Sequence, residues 1–484
     1  MRFSACQLLL LILILFSACS GTKYLAEDEV LYVGTRKVRL HQVPYRDEDW
    51  KLDQKTDKKI NAWMDVNAAP NGAILGLPFA RFLSVRLFLY TLFYTEKEKG
   101  MSRWLMENFG EPPVTVSSVN PELRVKKIEN DLANQGHFGV AGRYKLVYKN
   151  KKQQKARIHY AFDIPKAYTF RDFELVVDSS QRNLQPVLRT YLQDSQLRAG
   201  DHFNLEAISR EKEAIWRFLQ NQGYFYIRPE DILILADTTL GNKQVDIQYR
   251  LNREMPEAAS RPLLIQDVFI RRDSAEVALQ GETQPVTGLK SRLLRRAVIP
   301  EEGDAYSLSA SQRTIRNLSG LGVFTDMSVN YLIHEDDSGR ADALVNIRPI
   351  DKISLAANTD LALKSTGFIG PSVGVTLNHR NLLGGAENFT FGVNGYLDFP
   401  TGVFRERVSP SSGFSIESSL SVPLLNSPLR FIPANATTLP RRQVTLSFEQ
   451  NNRRDYFRIA NWKAAYTPNW KSSQTVTHQL GIIN

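Results

Sequence analysis

Cysteine is almost missing: the chain has two, Cys6 and Cys19, both near its start. That excludes a disulfide-stapled scaffold and a cysteine-rich metal site. Histidine is scarce too, seven in all, and none stands in a His-Glu-x-x-His or Cys/His ligand spacing. No Gly-x-Ser-x-Gly turn and no phosphate-binding glycine loop occurs. Hence no catalytic, cofactor-binding or metal-binding residue is proposed, and no enzyme and no cofactor is expected. Acid is in deficit, with 51 Asp and Glu against 61 Lys and Arg, a net +10. A basic chain suits nucleic acid in principle. The export signal described next places the mature chain outside the cytosol, so nucleic acid is not an expected partner. Anionic headgroups or lipopolysaccharide are better counter-ions, and scattered solubilising charge, as at Lys151, Lys152 and Lys155 on a hairpin tip, explains it better still.

The first apolar run, Leu8 to Phe16, follows the positive Arg2 and ends at Phe16-Ser17-Ala18-Cys19. A bilayer needs about 20 apolar residues, so this run is a signal peptide, residues 1–18, and not a span. Small residues before a cysteine resemble a bacterial lipobox, in which the thiol is acylated and the chain cut ahead of it. Cys19 would then be the lipidated N-terminus, with 19–29 as a tether. Several acyl chains, at ~0.8 kcal/mol per buried CH₂, anchor a protein stably. The plainer alternative is a general secretory peptide with an incidental cysteine.

Composition, 43% hydrophobic and 23% charged, is that of folded protein, and a repeat organises it. Three helical patterns stop alike: Asn134-Gln135-Gly136-His137-Phe138, Asn221-Gln222-Gly223-Tyr224-Phe225 and Leu321-Gly322-Val323-Phe324. Glycine suits the left-handed position past a helix end. One such stop is an ordinary cap; three at domain spacing suggest duplication. Each is preceded by a turn: Gly110-Glu111-Pro112-Pro113, Gly200-Asp201-His202-Phe203 and Gly303-Asp304-Ala305-Tyr306. Asn120, Asn204 and Ser307 are N-cap candidates for the helix between, and Pro121 suits its first position. Single apolar stripes follow, Leu205, Ile208, Ile215 and Leu219, then Leu308, Ile315 and Leu318.

The remaining patterns complete a β-α-α-β-β order. Opening strands are predicted at Val30–Leu40, Phe170–Val177 and Leu263–Ile270, and first helices at Leu184–Gln193 and Ser291–Val298. Closing pairs are Tyr224–Leu235 with Lys243–Leu251, and Val323–Ile333 with Ala341–Ile347. Two helices on a three-stranded sheet make a small α+β domain with an open sheet edge. With the Gly-Asp-x-aromatic turn and the Asn-Gln-Gly-Tyr-Phe stop, this resembles the POTRA domains of the outer-membrane protein-assembly superfamily. Three modules are expected, 30–165, 168–253 and 262–349, the first enlarged by an insertion over about 42–100. That insertion holds the apolar stretch Gly72–Tyr94, interrupted by Arg81 and Arg86. Each arginine costs about 2.5–3.5 kcal/mol at a bilayer centre, so a helix buried in the first module is preferred to an interfacial or partner-docking one.

After Pro349 the period changes to two. Ile353, Leu355, Ala357 and Leu361 alternate with polar residues, as do Val373, Val375 and Leu377, then Phe389, Phe391, Val393 and Leu397. The pattern returns at Phe414–Val422 and Val444–Phe448, and less cleanly at Tyr456–Tyr466 and Thr475–Ile482. About seven such strands fit the opening of a transmembrane barrel over 350–484, incomplete because the family's barrels have more. A soluble sandwich also alternates. Asn381-Leu382-Leu383-Gly384-Gly385-Ala386-Glu387 resembles an early barrel turn, or is simply a Gly-Gly hairpin.

The fold class expected is α+β POTRA repeats followed by an incomplete antiparallel barrel. The arrangement resembles the TamA/BamA family, and the lipobox its lipidated, TamL-type branch. This resemblance implies a lipid-anchored outer-membrane assembly factor of a Gram-negative bacterium with periplasmic modules. It implies as partners a TamB-like periplasm-spanning protein, nascent outer-membrane proteins or lipids, and outer-membrane lipid. A two-partner-secretion transporter, the central BamA-like insertase and a passive pore or adhesin are the alternatives.

Overall fold

The computed structural model describes residues 22, 25–26, 28–36, 38–46, 50–64, 85–95, 99–149, 152–272, 275–278, 288–335, 337–364, 368–400, 409–424, 439–453, 456–473, 475–479 and 481–483. Cys19, the signal peptide, Lys151 and the first part of the apolar insertion, 72–84, lie outside the described residues. Two compact units divide the chain: Met1–Val176 with Asp194–Glu213 and Leu233–Leu251, and Val177–Gln193 with Ala214–Ile232 and Asn252–Asn484.

In the first unit, β1 (Leu31–Thr35) and β2 (Arg39–Gln42) run parallel to β4 (Lys155–Ile164), and β3 (Ala141–Tyr148) pairs antiparallel on its other side. The single strand expected at Val30–Leu40 is therefore two. Within β1 the register against β4 shifts between Tyr32 and Thr35, where Gly34 takes φ 116°. Along β4, alternate residues Ala156, Ile158, Tyr160, Phe162 and Ile164 are buried. Onto that face α1 (Gln54–Trp63) brings Ile60, with Met64 just past its end, and α5 (Pro121–Ala133) brings Val125, Ile128 and Leu132. The insertion is thus split in its roles. Its early part builds the module core, whereas α2 (Val85–Phe93) packs on α3 (Met101–Phe109) and sends no residue into that core. Leu87 and Thr91 of α2 and Met106 of α3 are buried, while Leu92, Met101, Trp104 and Phe109 are exposed; residues 72–84 of the apolar stretch expected to form a buried helix lie outside the described residues. Among the described residues no helix is long and apolar enough to cross a membrane. A one-turn helix, α4 (Val116–Val119), precedes α5. The same unit holds a second sheet, β5 (Thr169–Val176), β7 (Gln244–Leu251) and β6 (Ile232–Asp237), in the order β5-β7-β6 with β5 parallel to β7.

The second unit contains α6 (Gln185–Gln193) and the C-terminal part of α7 (Leu205–Asn221). The strand predicted from Tyr224 starts only at Ile232, because the side-chain amide of Gln220 donates to the carbonyls of Tyr224, Phe225 and Ile227 and holds them in a turn. Pro229 then opens a short 3₁₀ turn. A third sheet runs β10 (Phe324–Ile333), β11 (Arg340–Pro349), β8 (Leu264–Arg272), β9 (Ala275–Ala278). β8 is again parallel to the last strand, β11, but β9 is an addition to the expected three. Its core joins Ile265, Ile270, Val345 and Ile347 to Leu294 of α8 (Ser291–Ala297) and Leu318 of α9 (Leu308–Leu321).

The same unit continues into an antiparallel sheet of eight strands. Six are long: β12 (Ile353–Lys364), β13 (Phe368–Arg380), β14 (Asn388–Pro400), β15 (Ser411–Pro423), β16 (Arg441–Arg453) and β17 (Phe457–Lys471). β18 (Thr477–Gln479) and β19 (Ile482–Ile483) both pair with β17, so the last expected strand is two short ones. Among the described residues this sheet is open, and β12 has β13 as its one partner.

Candidate functional site: joints, edges and a two-faced sheet

The three glycine stops do more than end helices. Gly136, Gly223 and Gly322 all have positive φ, at 89°, 101° and 70°, and each stop receives the chain that leads into the next sheet. Tyr168 N donates to Gly136 O at 3.0 Å, Leu263 N to Gly223 O at 2.9 Å, and Ile350 N to Val323 O at 2.9 Å. A Cβ on Gly136 would come within 3.1 Å of Phe203, and one on Gly223 within 2.7 Å of Pro262. Close backbone approach and left-handed φ together require glycine.

The two repeated motifs meet at these joints. At the first, Phe138 lies 5.2 Å from Phe203 and 5.0 Å from Tyr168. At the second, Phe225 lies 4.9 Å from Tyr306, which lies 4.9 Å from Tyr331. In both, the phenylalanine two residues past the glycine of one module packs on the aromatic of the next Gly-Asp-x-aromatic turn. Such tilted and edge-on pairs are worth about 0.5–1.5 kcal/mol beyond their burial. Burial pushes the Tyr306 hydroxyl up to about 12, so it stays neutral. The predicted caps serve the same places. Asn120 accepts from Leu123 N, Asn204 from Ala207 N and Ser307 from Ala310 N. Leu205, expected in the apolar stripe, is exposed, and its N–H donates to Asn134 O across the first joint. His137 sits beside that joint, buried, with Nδ1 2.7 Å from Pro165 O and its ring 5.4 Å from Trp50. Burial first, then His202, holds its pKa below the ordinary value.

The third joint is built differently. Arg441, at the start of β16, donates to Gly320 O at 2.9 Å and Leu321 O at 3.2 Å, the last carbonyls of α9. The same guanidinium reaches Ala386 O and both oxygens of Ser421. A cation at a helix C-terminus also meets the negative end of the helix dipole. The turn 381–387 adds to this joint: Asn381 Nδ2 donates to Gly288 O, Lys290 N to Gly384 O, and Ala386 is buried in the third module's core. Glu387 caps the turn through Leu383 N and Gly385 N. The turn the sequence singled out is therefore a docking element. Arg441 was missed, since a lone arginine opening a strand carries no local signal.

Open sheet edges are the second candidate feature. β3, β6 and β10 are each the terminal strand of their sheet. Each exposes large apolar side chains, Tyr144 and Tyr148, Leu233 and Leu235, and Leu332 respectively.

The large sheet is sorted by face. Residues opposite one another in an antiparallel sheet share a face. One row reads Ala357, Val375, Val393, Ile416, Phe448 and Trp462; the next reads Asn358, Gly374, Asn394, Ser415, Glu449 and Asn461. The apolar rows are exposed, reaching 82% at Trp462 and 71% at Leu355. The polar rows face inward on a curve. Arg453 of β16 lies 5.3 Å from the ring of Phe368 on β13, although three strand spacings of ~4.8 Å separate those strands in a flat sheet. They meet because the sheet bends toward the polar face. Across that concave face Lys364 of β12 pairs with Asp398 of β14 at 2.6 Å, passing over Gly370 of β13, where a side chain would strike Asp398. Among the described residues no cluster of three or more His, Cys, Asp or Glu is placed to hold a metal.

No family model matches the chain, and no curated protein does. Solved structures similar to it include POTRA domains 3–5 of BamA from Haemophilus influenzae, at 13% identity over 67% of this chain and 99% of that one, TM-score 0.30. BamA from Haemophilus ducreyi lacking POTRA domains 1–3 is 13% identical over 65% of this chain and 64% of that one, TM-score 0.34. CdiB from Acinetobacter baumannii is 13% identical over 76% of this chain and 70% of that one, TM-score 0.28.

Proposed function

We propose that this protein is an outer-membrane assembly factor of the TamA/BamA type, anchored by lipid at Cys19, with three POTRA modules in the periplasm and a barrel in the membrane. The modules are 30–165, 168–253 and 262–349, each a β-α-α-β-β unit with additions, and the barrel begins at 350. The observation that carries this reading is the two-faced sheet. An antiparallel sheet bent toward its polar face, with bare apolar rows on the convex side and no second layer over them among the described residues, is matched to hydrocarbon. A soluble sandwich buries its apolar rows against another sheet. Within a bilayer every backbone group needs a partner, so the free edge of β12 and the length of β17 that β18 and β19 leave unpaired are covered there by further strands.

The mechanism follows from edges. An extended client or partner segment adds to β3, β6 or β10 by main-chain hydrogen bonding, and the exposed tyrosines and leucines select side chains. β12 is the lateral gate: a terminal strand with most side chains exposed, held at its far end by the Lys364–Asp398 pair. The partner supplying the modules is a long periplasm-spanning protein of TamB type. A photo-crosslinker placed at Tyr144 or Leu235 of the full-length protein in cells tests this. Adducts with a periplasm-spanning protein or with nascent outer-membrane strands are expected. Adducts with one dedicated secreted substrate would move the reading to a two-partner-secretion transporter, and an absence of adducts at both positions would overturn strand docking.

A further inference from the structure

On the convex face the apolar wall is broken by a dent of about 500 Å³, inside the ~300–1,000 Å³ range of small-molecule sites. Gly395 forms its floor, with nothing within 4 Å of where its Cβ would stand. Pro371, Val373, Leu397 and Phe414 wall it. All four lie in outward rows, Val373 opposite Gly395 and Gly395 opposite Phe414. The polar residues lining the same dent are Tyr396, Ser412 and the amides Gln450 and Asn452. Arg458 pairs with Asn452 across the strands and donates to Gln450 Oε1 at 2.9 Å. This guanidinium is exposed, its partner is a neutral amide, and no carboxylate pairs with it among the described residues. The row it shares runs back to Leu361, at the end of β12 away from the third module, one residue inside the tip of β17.

A cation and two amides beside an apolar recess, on a face turned to lipid near the membrane rim, have one complementary chemistry. We infer that this dent is a binding site for an anionic membrane lipid, its phosphate held by Arg458 with Gln450 and Asn452, and an acyl chain laid over Gly395. Arginine is suited to phosphate through its planar fork of donors. A charged residue facing lipid is tolerated near an interface and marks function where it persists. The inference rests on the reading of this sheet as membrane-spanning.

Native mass spectrometry of the full chain in detergent tests it, titrating dimyristoyl phosphatidylglycerol against dimyristoyl phosphatidylcholine. The anionic lipid should bind about tenfold more tightly, a difference of ~1.4 kcal/mol, and inorganic phosphate should not compete. Arg458→Gln should erase the preference while leaving weak binding of both lipids. Gly395→Leu, which builds into open space, should weaken both about tenfold. Equal binding of the two lipids, competition by inorganic phosphate, or two variants that behave like the parent would each overturn the site. Quenching by lipids brominated in their acyl chains, and its loss in Trp462→Phe, separates the two claims. Trp462 quenched without lipid preference removes this site alone; Trp462 unquenched removes the membrane sheet itself.

Discussion

The first two joints are made of aromatic rings, and the third is made of a guanidinium on carbonyls. Phe138 on Phe203 and Phe225 on Tyr306 are the same contact made twice, whereas Arg441 gathers Gly320, Leu321, Ala386 and Ser421. The difference follows from what each domain has to offer. A module keeps its apolar residues inside and meets water outside, so a joint between modules gains by removing further rings from water. The sheet is the reverse, apolar outside and polar within, so its inner rim has little apolar surface to contribute. Directional hydrogen bonds take over there, and a half-buried cation with several acceptors is the form that specifies one geometry.

Breaking the third joint should have the largest effect. Arg441→Met leaves its carbonyl partners without their donor, and a destabilisation of about 3 kcal/mol or more is expected. Protease cleavage between 349 and 353 in the full chain reads it out, and unchanged resistance would show the guanidinium to be dispensable. Inverting the sheet comes next. Val375→Arg on the convex face should cost about 2–4 kcal/mol at mid-membrane, while Thr376→Arg on the concave face should cost far less. Equal costs in refolding into bilayers would end the distinction between faces. At the second joint, Phe225→Ala should lose about 2 kcal/mol of thermal stability. A double-mutant cycle with Tyr306→Ala should return a coupling near 1 kcal/mol, and additivity would dissolve the pairing.

The smallest effect sharpens the first joint. His137 has a lowered folded-state pKa, so the unfolded chain binds its proton first as the pH falls. Its stability contribution is complete above the ordinary 6.5 and declines below it as the pH drops toward the folded value. The slope is at most ~1.4 kcal/mol per pH unit. Replacement by Gln should flatten the profile below about 6.5, as measured by thermal unfolding; an unaltered slope would assign the dependence elsewhere.

Much of this was legible from residue order. The caps Asn120, Asn204 and Ser307, the glycine stops and the two-residue period after Pro349 rest on local sterics and local hydrogen bonding, which a neighbour in sequence can satisfy. Register then placed Val373, Val375 and Leu377 on the same face that alternation predicted. The misreadings have nonlocal causes. Tyr224 to Ile227 looked extended until Gln220 claimed their carbonyls. Ser311 and Thr314 face the third core although polar, because Tyr331 O–H and Ile299 N–H pair with them. The stripe on α9 omitted both.

The order of elements, their caps and the two faces of the sheet were settled by the chain itself, since each depends on φ, ψ and side-chain period within a few residues. Which motif meets which was settled only on folding. That Gly-x-Phe of one module seats the Gly-Asp-x-aromatic turn of the next, and that Arg441 closes on a helix end far away in sequence, are long-range contacts. No local preference encodes them, because their energy appears only when both surfaces leave water together.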